Sequence, residues 1–376
     1  MPAYFDTNAT TPVDPRVADI VIRYLTEEFG NAGSRTHSFG SRAAKAVELA
    51  RDQIANAVKL ESGRVVFTSG ATESNNLAIL GLEELGNRTG KRHLVTTAIE
   101  HKAVLEPLEH LTHRGFTLEV VFPEQDGVVP AEKLLEQVRE DTLLVSLMHV
   151  NNETGMIQPV APVAEALRDT ETLVHVDAAQ GFGKDFAPLT NPCIDFISIS
   201  SHKIYGPKGS GALLINEKNK KNRRLSPIMF GGGQETGLRP GTLPVPLIAG
   251  FGLAAELARK EHAQRIKENR AHLQRITEAA KQAGGEINGN TEDNVGNVLN
   301  VSFPGVDSES AILLLQDHIA ISNGAACTST SYTYSHVLEA MGLSRERIES
   351  AIRISWYHNS ESIEWPNVFS SISALM

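Results

Sequence analysis

In Leu173-Val174-His175-Val176-Asp177-Ala178-Ala179-Gln180, residues 173–177 are a short, largely apolar run that ends in a carboxylate. Phe196-Ile197-Ser198-Ile199-Ser200-Ser201-His202-Lys203 is a second such run, and it ends in an amine. Runs that are β-branched and apolar with little alternation are what strands covered on both faces require. Similar runs stand at 64–68, 93–97, 117–122, 143–149 and 212–215, most of them separated by helix-like stretches. Alternating β and α predicts an α/β fold: a mainly parallel sheet flanked by helices. Ligands on such sheets bind beyond the carboxyl ends of the strands. The polar residues just after each run therefore carry the functional reading.

Upstream, Asp14-Pro15 predicts a helix start, with Asp14 as the cap and Pro15 in the first turn. Val17, Ile20, Val21, Tyr24 and Leu25 then recur at helical spacing, and Gly30 is expected to stop the helix. After residue 215 the rhythm changes. A basic run (Lys218, Lys220, Lys221, Arg223, Arg224) reads as a solvated loop or a dock for an acidic partner. Gly231-Gly232-Gly233 follows, then one long helix from about 246 past 268. Strands are expected at 298–303, 319–322 and 351–356, with helices near 309–317 and 335–341. The segment 322–334 is rich in Ser, Thr, Ala and Gly and has no periodicity. The expected division is a large domain over 14–256 and a smaller α+β domain made of 1–13 and 257–376.

With 376 residues, the chain suits about two domains at ~150 residues each. Its 41% hydrophobic and 21% charged residues exclude disorder as the main state. A net charge of -10 argues against a broad electrostatic grip on nucleic acid or an anionic membrane. Two cysteines, Cys193 and Cys327, make no disulfide framework and suit a reducing compartment. The start Met1-Pro2-Ala3-Tyr4-Phe5-Asp6 lacks a signal peptide's basic and apolar regions, and no apolar run reaches the ~18 residues of a membrane span. A cytoplasmic location is expected.

Asp177 alone is equally a structural loop cap, and Lys203 alone is more often a surface lysine. Together, ending successive strands, they supply what pyridoxal 5'-phosphate needs: a partner for the pyridinium nitrogen and an amine for its aldehyde. Strand, small-residue turn and helix start follow one another in Val65-Val66-Phe67-Thr68-Ser69-Gly70-Ala71-Thr72-Glu73-Ser74, a common pattern that also suits a phosphate. Glu100-His101-Lys102 and Asn151-Asn152-Glu153-Thr154-Gly155 follow two other strands; the bland readings are a structural histidine and a polar turn. Cys327 sits among Asn323-Gly324-Ala325-Ala326 and Thr328-Ser329-Thr330-Ser331, a polar setting that suits a reactive thiol better than a core one. Cys193, ahead of an apolar strand, reads as structural. Arg353, within Ile352-Arg353-Ile354-Ser355, is either a salt-bridged strand residue or a clamp on a substrate carboxylate. The thirteen histidines show no metal-ligand spacing, so no metal site is expected.

Taken in order, these segments resemble the cysteine desulfurases among the fold-type I, class V aminotransferase enzymes, over nearly the whole chain. The carriers are Asp6-Thr7-Asn8-Ala9-Thr10-Thr11-Pro12, Gly30-Asn31, Thr68 through Asn76, Glu100-His101 and Met148 through Glu153. His175 through Gln180, Ser200 through Gly206, Gly241-Thr242-Leu243-Pro244 and the surroundings of Cys327 complete the series. The resemblance implies that Lys203 attaches pyridoxal 5'-phosphate, Asp177 pairs with its ring nitrogen, Gln180 with its phenolic oxygen, and His101 stacks on the ring and moves protons. It implies a phosphate held by Ala71, Thr72, Ser200 and His202, helped by Thr242 of the other subunit of a homodimer. Asn152 and Arg353, with Asn31, would hold the substrate carboxylate. L-cysteine would become L-alanine, with a persulfide left on Cys327 after His101 deprotonates its thiol, and the sulfur would pass to a protein acceptor.

The sequence departs from the family pattern at Ala32-Gly33 (usually Pro-Ser), Ser201 (Gly), Ala325 (Ser) and Pro240. Twenty residues follow Trp356, fewer than in members that dock an iron–sulfur scaffold through a longer tail. The 231–246 and 327–343 segments most resemble desulfurases of bacterial DNA phosphorothioation systems. Such an enzyme need not touch DNA itself. Sulfur supply for iron–sulfur clusters or tRNA thiolation, selenocysteine lyase activity and an inactive sulfur-relay scaffold are the alternatives; a nicotinamide dehydrogenase lacks its glycine fingerprint.

Overall fold

A computed structural model describes residues 2–217, 225–323 and 334–373. The strands are β1 (Ala3–Tyr4), β2 (Gly63–Thr68), β3 (His93–Thr97), β4 (Thr117–Val121), β5 (Thr142–Met148) and β6 (Leu173–Asp177). They continue as β7 (Phe196–Ser200), β8 (Gly211–Asn216), β9 (Glu286–Ile287), β10 (Val298–Ser302), β11 (Ile319–Ala320) and β12 (Ala351–Ser355). A seven-stranded sheet has the order β2-β8-β7-β6-β5-β3-β4. β4, β3, β5, β6 and β7 are mutually parallel, and β8 runs antiparallel to both β7 and β2. β2 therefore points the same way as β7. The ends of β2, β3, β5, β6 and β7 all deliver their following residues to one edge of the sheet.

Alternate residues of these strands feed two apolar layers, as a pleat with helices on both sides demands. Val145, Leu147, Val174, Val176, Ile197 and Ile199 join one layer. Leu144, Leu173 and Phe196 join the other. A third apolar cluster gathers Leu273, Ile276, Ile352, Ile354, Trp356, Trp365 and Phe369, and it takes Ala3 and Phe5 from the opposite end of the sequence. Its strands are the antiparallel β12-β10-β9 sheet and the parallel pair β1-β11.

The first helix, α1 (Pro15–Thr26), starts as read, with the Asp14 side chain accepting from the Arg16 N–H. It ends earlier than expected, at Thr26, where Arg23 O accepts from both Glu27 and Glu28 N–H. Gly30 serves a different purpose: a Cβ there would lie 2.2 Å from Phe39 O, at the start of α2 (Ser38–Ala57). The long helix expected from 246 is two helices, Val245–Lys260 and His262–Gln282, meeting at Glu261. The break lets the first pack on α1 and α2 while the second sends Leu273 and Ile276 into the third cluster. The strand expected at 319–322 shrinks to Ile319–Ala320, and a helix at Trp365–Ser373 closes the described chain. Segment 324–333 and the basic run 218–224 lie outside the described residues.

Gly211 begins β8 where it passes under the turn after β2. A Cβ on it would meet Gly70 Cα at 2.5 Å and Ile199 O at 2.7 Å, both backbone atoms that cannot rotate away. Gly211→Val is expected to destabilise the fold by about 1–3 kcal/mol and to lower cofactor content, read from the urea midpoint and from absorbance. An unchanged midpoint would mean that the turn yields without cost.

Candidate active site

A cavity of about 630 Å³ opens at the carboxyl edge of the large sheet. Asn8, Ala71, Thr72, Asn75, His101, Asn152, Asp177, Gln180, Ser200, His202, Lys203 and Arg353 all line it. Five strand ends and the strand β12 thus bring together most of the residues singled out in sequence. Asn31 and Thr242 are not among them. They line a second cavity of about 660 Å³ with Arg51 and Glu235. Cys327 lies outside the described residues, and Cys193 is buried in the core.

One wall is built for an anion. α3 (Ala71–Leu80) follows Gly70 with no side-chain cap on its first turn. The N–H groups of that turn have no intrahelical partner by geometry and carry the positive end of the helix dipole. Glu73 does not neutralise them alone, because it is paired with Arg239 at 2.7 Å and accepts from Ser69 N–H at 2.7 Å. His202 and Lys208 line the same cavity. Burial, then Lys203, Lys208 and Lys184, push the His202 ring down to about 4, so it is neutral at pH 7.

The opposite requirement is met by Asp177, which is 5% exposed. Its oxygens accept from Asn75 Nδ2 at 2.7 Å and Ala179 N–H at 2.9 Å, both neutral donors. A buried carboxylate solvated only by neutral groups leaves room for one cationic partner. Beneath it, His175 is wedged between Ser146 Oγ at 2.8 Å and Ser198 Oγ at 3.0 Å, and burial lowers it to about 3.

Lys203 Nζ donates to Ala9 O at 2.8 Å and also to Asn8 O. Asn8 O further accepts from Gln180 Nε2 at 2.9 Å. Arg353 is 2% exposed, pairs with Asp6 at 2.8 Å and donates to Asn152 O at 3.3 Å; its Nε has no hydrogen-bond partner among the described residues. His101 caps the helix Lys102–Thr112, its Nδ1 accepting from Ala103 N–H at 3.1 Å. That bond places the lone pair on Nδ1 and the proton of the neutral ring on Nε2.

Sequence reasoning missed Asn8, Asn75, Glu100 and Lys184 as parts of this site. Asn8 and Glu100 were in quoted motifs, but their partners are remote in the chain. Lys184, in an ordinary-looking Gly183-Lys184 pair, is half-buried, and burial, Lys203 and Arg353 lower it to about 7. Glu100 is wholly buried; its Oε1 accepts from Thr97 Oγ1 at 2.6 Å and Met148 N–H at 2.7 Å, while Oε2 has no partner among the described residues.

The residues present fit pyridoxal 5'-phosphate: an uncapped helix start for its phosphate, a buried carboxylate for its ring nitrogen, and an amine for its aldehyde. Residues 3–364 match the family model described as "Aminotransferase class-V". A cysteine desulfurase IscS from Photobacterium profundum is 44% identical over 97% of this chain and 91% of its own length. The solved structure of DndA from Streptomyces lividans is 51% identical, covering 93% of this chain and 98% of that one, with a TM-score of 0.81. A solved NifS-like protein is 38% identical over 100% of this chain and 99% of its own, with a TM-score of 0.90. The chain belongs to the class-V aminotransferase family, and its mostly parallel sheet flanked by helices is that family's fold. Within the family it is a cysteine desulfurase, dependent on pyridoxal 5'-phosphate and acting on L-cysteine with transfer of the sulfur.

Burial dominates in raising Glu100 from an ordinary value of 4.5 to about 8, with Asp177 adding to it against the two hydrogen bonds. Such a group favours folding below its unfolded value, and that contribution is lost as pH rises through about 8. The unfolding midpoint should therefore fall more steeply between pH 5 and pH 9 in the wild type than in Glu100→Gln, by thermal melts at ~1 unit steps. Parallel curves would show that Glu100 is ionised in the native state.

Proposed function

We propose that the persulfide forms on Cys327 and is handed from there to a protein acceptor. The observation that carries the substrate side of this reading is the shared cavity of Lys203, Asp177 and Arg353, which matches an amino acid with its α-carboxylate on the guanidinium; Cys327 as the sulfur's first acceptor rests on the family resemblance. When bound, pyridoxal phosphate supplies the electron sink. Lys203 Nζ, held by two backbone carbonyls, takes and returns the proton of the substrate's Cα. Asp177 pairs with the ring nitrogen, Gln180 with the ring oxygen, and Ala71, Thr72, Ser200 and His202 hold the phosphate. Arg353 and Asn152 hold the carboxylate, with Asn31 as a more distant contributor.

His101 stacks on the ring in this reading. Its cap bond leaves the proton of the neutral ring on Nε2, which is then a donor. To take a thiol proton as a neutral ring, His101 must do so on Nδ1, so the bond from Ala103 N–H has to open as the imidazolium forms and Nε2 passes its proton on. A free thiol, with a pKa of about 8.5, is mostly protonated at neutral pH, so this exchange sets the supply of thiolate. The Cys327 thiolate then attacks the sulfur of the substrate: the S–S bond forms as the substrate's Cβ–S bond breaks, that bond's electron pair stays with the carbon skeleton, Cβ takes up a proton, and L-alanine leaves.

The homodimer is part of the proposal. Thr242 lines a cavity other than that of its own Lys203, which is what a residue serving a partner subunit's phosphate requires. The division into 14–256 and the remainder is supported by a separate apolar cluster around β10 and β12, although Leu257, Val337, Leu338, Met341 and Ala351 of the remainder pack into the large cluster. DNA phosphorothioation is the favoured destination of the sulfur: the 231–246 and 327–343 segments resemble desulfurases of that kind. The identity with DndA, 51%, also exceeds the 44% with the IscS relatives. A cytoplasmic setting suits this role; among the described residues no helix is long and apolar enough to cross a membrane.

Intact mass before and after L-cysteine tests the reading. One added, reductant-labile sulfur is expected on the wild type and none on Cys327→Ser. Alanine release without added sulfur would mean a lyase that frees sulfur directly, and neither product would favour the relay scaffold. His101→Ala should keep its cofactor and lose persulfide formation; unchanged turnover would remove His101 from the proton path.

A further inference from the structure

The cofactor side of Gln180 depends on which way its amide points. Oxygen and nitrogen of such an amide are interchangeable in shape, so only hydrogen-bond partners can fix them. Here two partners of opposite kind do so. Asn8 O, an acceptor only, takes an N–H from Gln180 Nε2 at 2.9 Å. Lys184 Nζ donates to Gln180 Oε1 at 2.8 Å and reaches Asn8 Oδ1 at 3.4 Å. A flipped amide would set Oε1 against a carbonyl and the amide hydrogens against the lysine N–H groups. In the observed orientation one N–H of Nε2 is spent on Asn8, and the second remains for the cavity that Gln180 lines.

Lys184 is itself held where it can act. It lies one turn after Gln180, with Lys184 N–H on Gly181 O at 3.0 Å and its own carbonyl 3.1 Å from His262 Nε2. The next residue, Asp185, donates its N–H to Gly181 O at 2.9 Å and pairs with the buried His149 at 3.0 Å. Gly183, at φ +83°, packs so closely that a Cβ would lie 2.4 Å from Ile204 Cγ2, one residue past Lys203. Both charge forms of a lysine keep N–H donors, so the orientation survives its titration.

We propose that Lys184 is a positioning residue: by donating to Gln180 Oε1 it locks the amide so that an N–H faces the cofactor's ring oxygen. This rests on the reading of Gln180 as that oxygen's partner. It assigns a task to a second lysine near the site that the reaction itself does not use.

The test uses holoenzyme and reads the visible absorption maximum of the bound cofactor together with its dissociation rate. Gln180→Ala and Lys184→Met should shift the maximum in the same direction and speed dissociation by about tenfold, roughly the loss of one hydrogen bond. The double variant should go no further than Gln180→Ala alone, because the two residues act as a unit. Lys184→Arg, which keeps a donor, should restore both readouts in part. If Lys184→Met does not fold, Lys184→Ala takes its place in the same cycle. Fully additive effects, or a Lys184 variant with an unmoved band beside a Gln180→Ala that moves it, would overturn the proposal alone. A Gln180→Ala that moves nothing would overturn the Gln180 reading and this inference with it.

Discussion

Two cations, Lys203 and Arg353, share one cavity here, and the segment 6–11 solvates both. Asn8 and Ala9 carbonyls take the Lys203 amine, and Asp6 takes Arg353. Asn8 Nδ2 donates to Asn152 O at 3.0 Å, and its N–H donates to Ser355 Oγ at 2.9 Å. Thr11 N–H reaches His202 O at 3.0 Å. The cost of leaving an ammonium or guanidinium buried and unpaired is several kcal/mol, at least ~3. This short irregular segment removes it for two cations at once. It also ties the large sheet to β12, so the site's electrostatics and the joining of the two sheets are one set of bonds.

The sheet was legible because its strands are buried on both faces and therefore read as unbroken apolar runs. The two central ones, β6 and β7, have the boundaries expected, 173–177 and 196–200. Errors fell where local chemistry was ambiguous. Gly30 looked like a helix stop but answers to the close approach of Phe39. Residues 246–268 kept an apolar stripe through Glu261, and nothing local in it announced that the second half changes partners. There Glu261 meets Arg16 at 2.7 Å and Arg265 at 2.7 Å. The first of those contacts spans the whole large sheet in sequence.

Site residues were legible when they directly followed a strand. Asp177, Lys203, His101 and Asn152 are all of this kind, since parallel topology sends every such end to one edge. Residues that serve the site from elsewhere left no local trace. Asn8 works chiefly through its main-chain carbonyl, which any residue possesses. Glu100 stood in a quoted motif beside His101, yet its burial and its bond to Met148 depend on the β3–β5 pairing. Asn31 and Thr242 show the reverse case: the sequence singled them out, and within one chain they face a different cavity.

The arrangement of the third apolar cluster bears on how the chain is made. Ala3 pairs with Ile319 and Asp6 with Ser355, contacts that join the start of the chain to strands more than 300 residues away. During synthesis, β2 through β8 have all left the ribosome once residue 216 has, and the helix Val245–Lys260 that covers one face of their sheet follows soon after. Phe5 finds its apolar neighbours and its bond to Ala320 O only in residues 273 and beyond, and must wait. The carbonyls of Asn8 and Ala9 have Lys203 and Gln180 as early partners, but the Asp6–Arg353 pair and the bond from Asn8 N–H to Ser355 Oγ wait for β12. Lys203 is therefore translated well before the segment that solvates its amine is tied down by Arg353 and Ser355. Completion of the chain is thus also the event that completes the cofactor pocket, and a half-made polypeptide carries the lysine without the surroundings that make it useful.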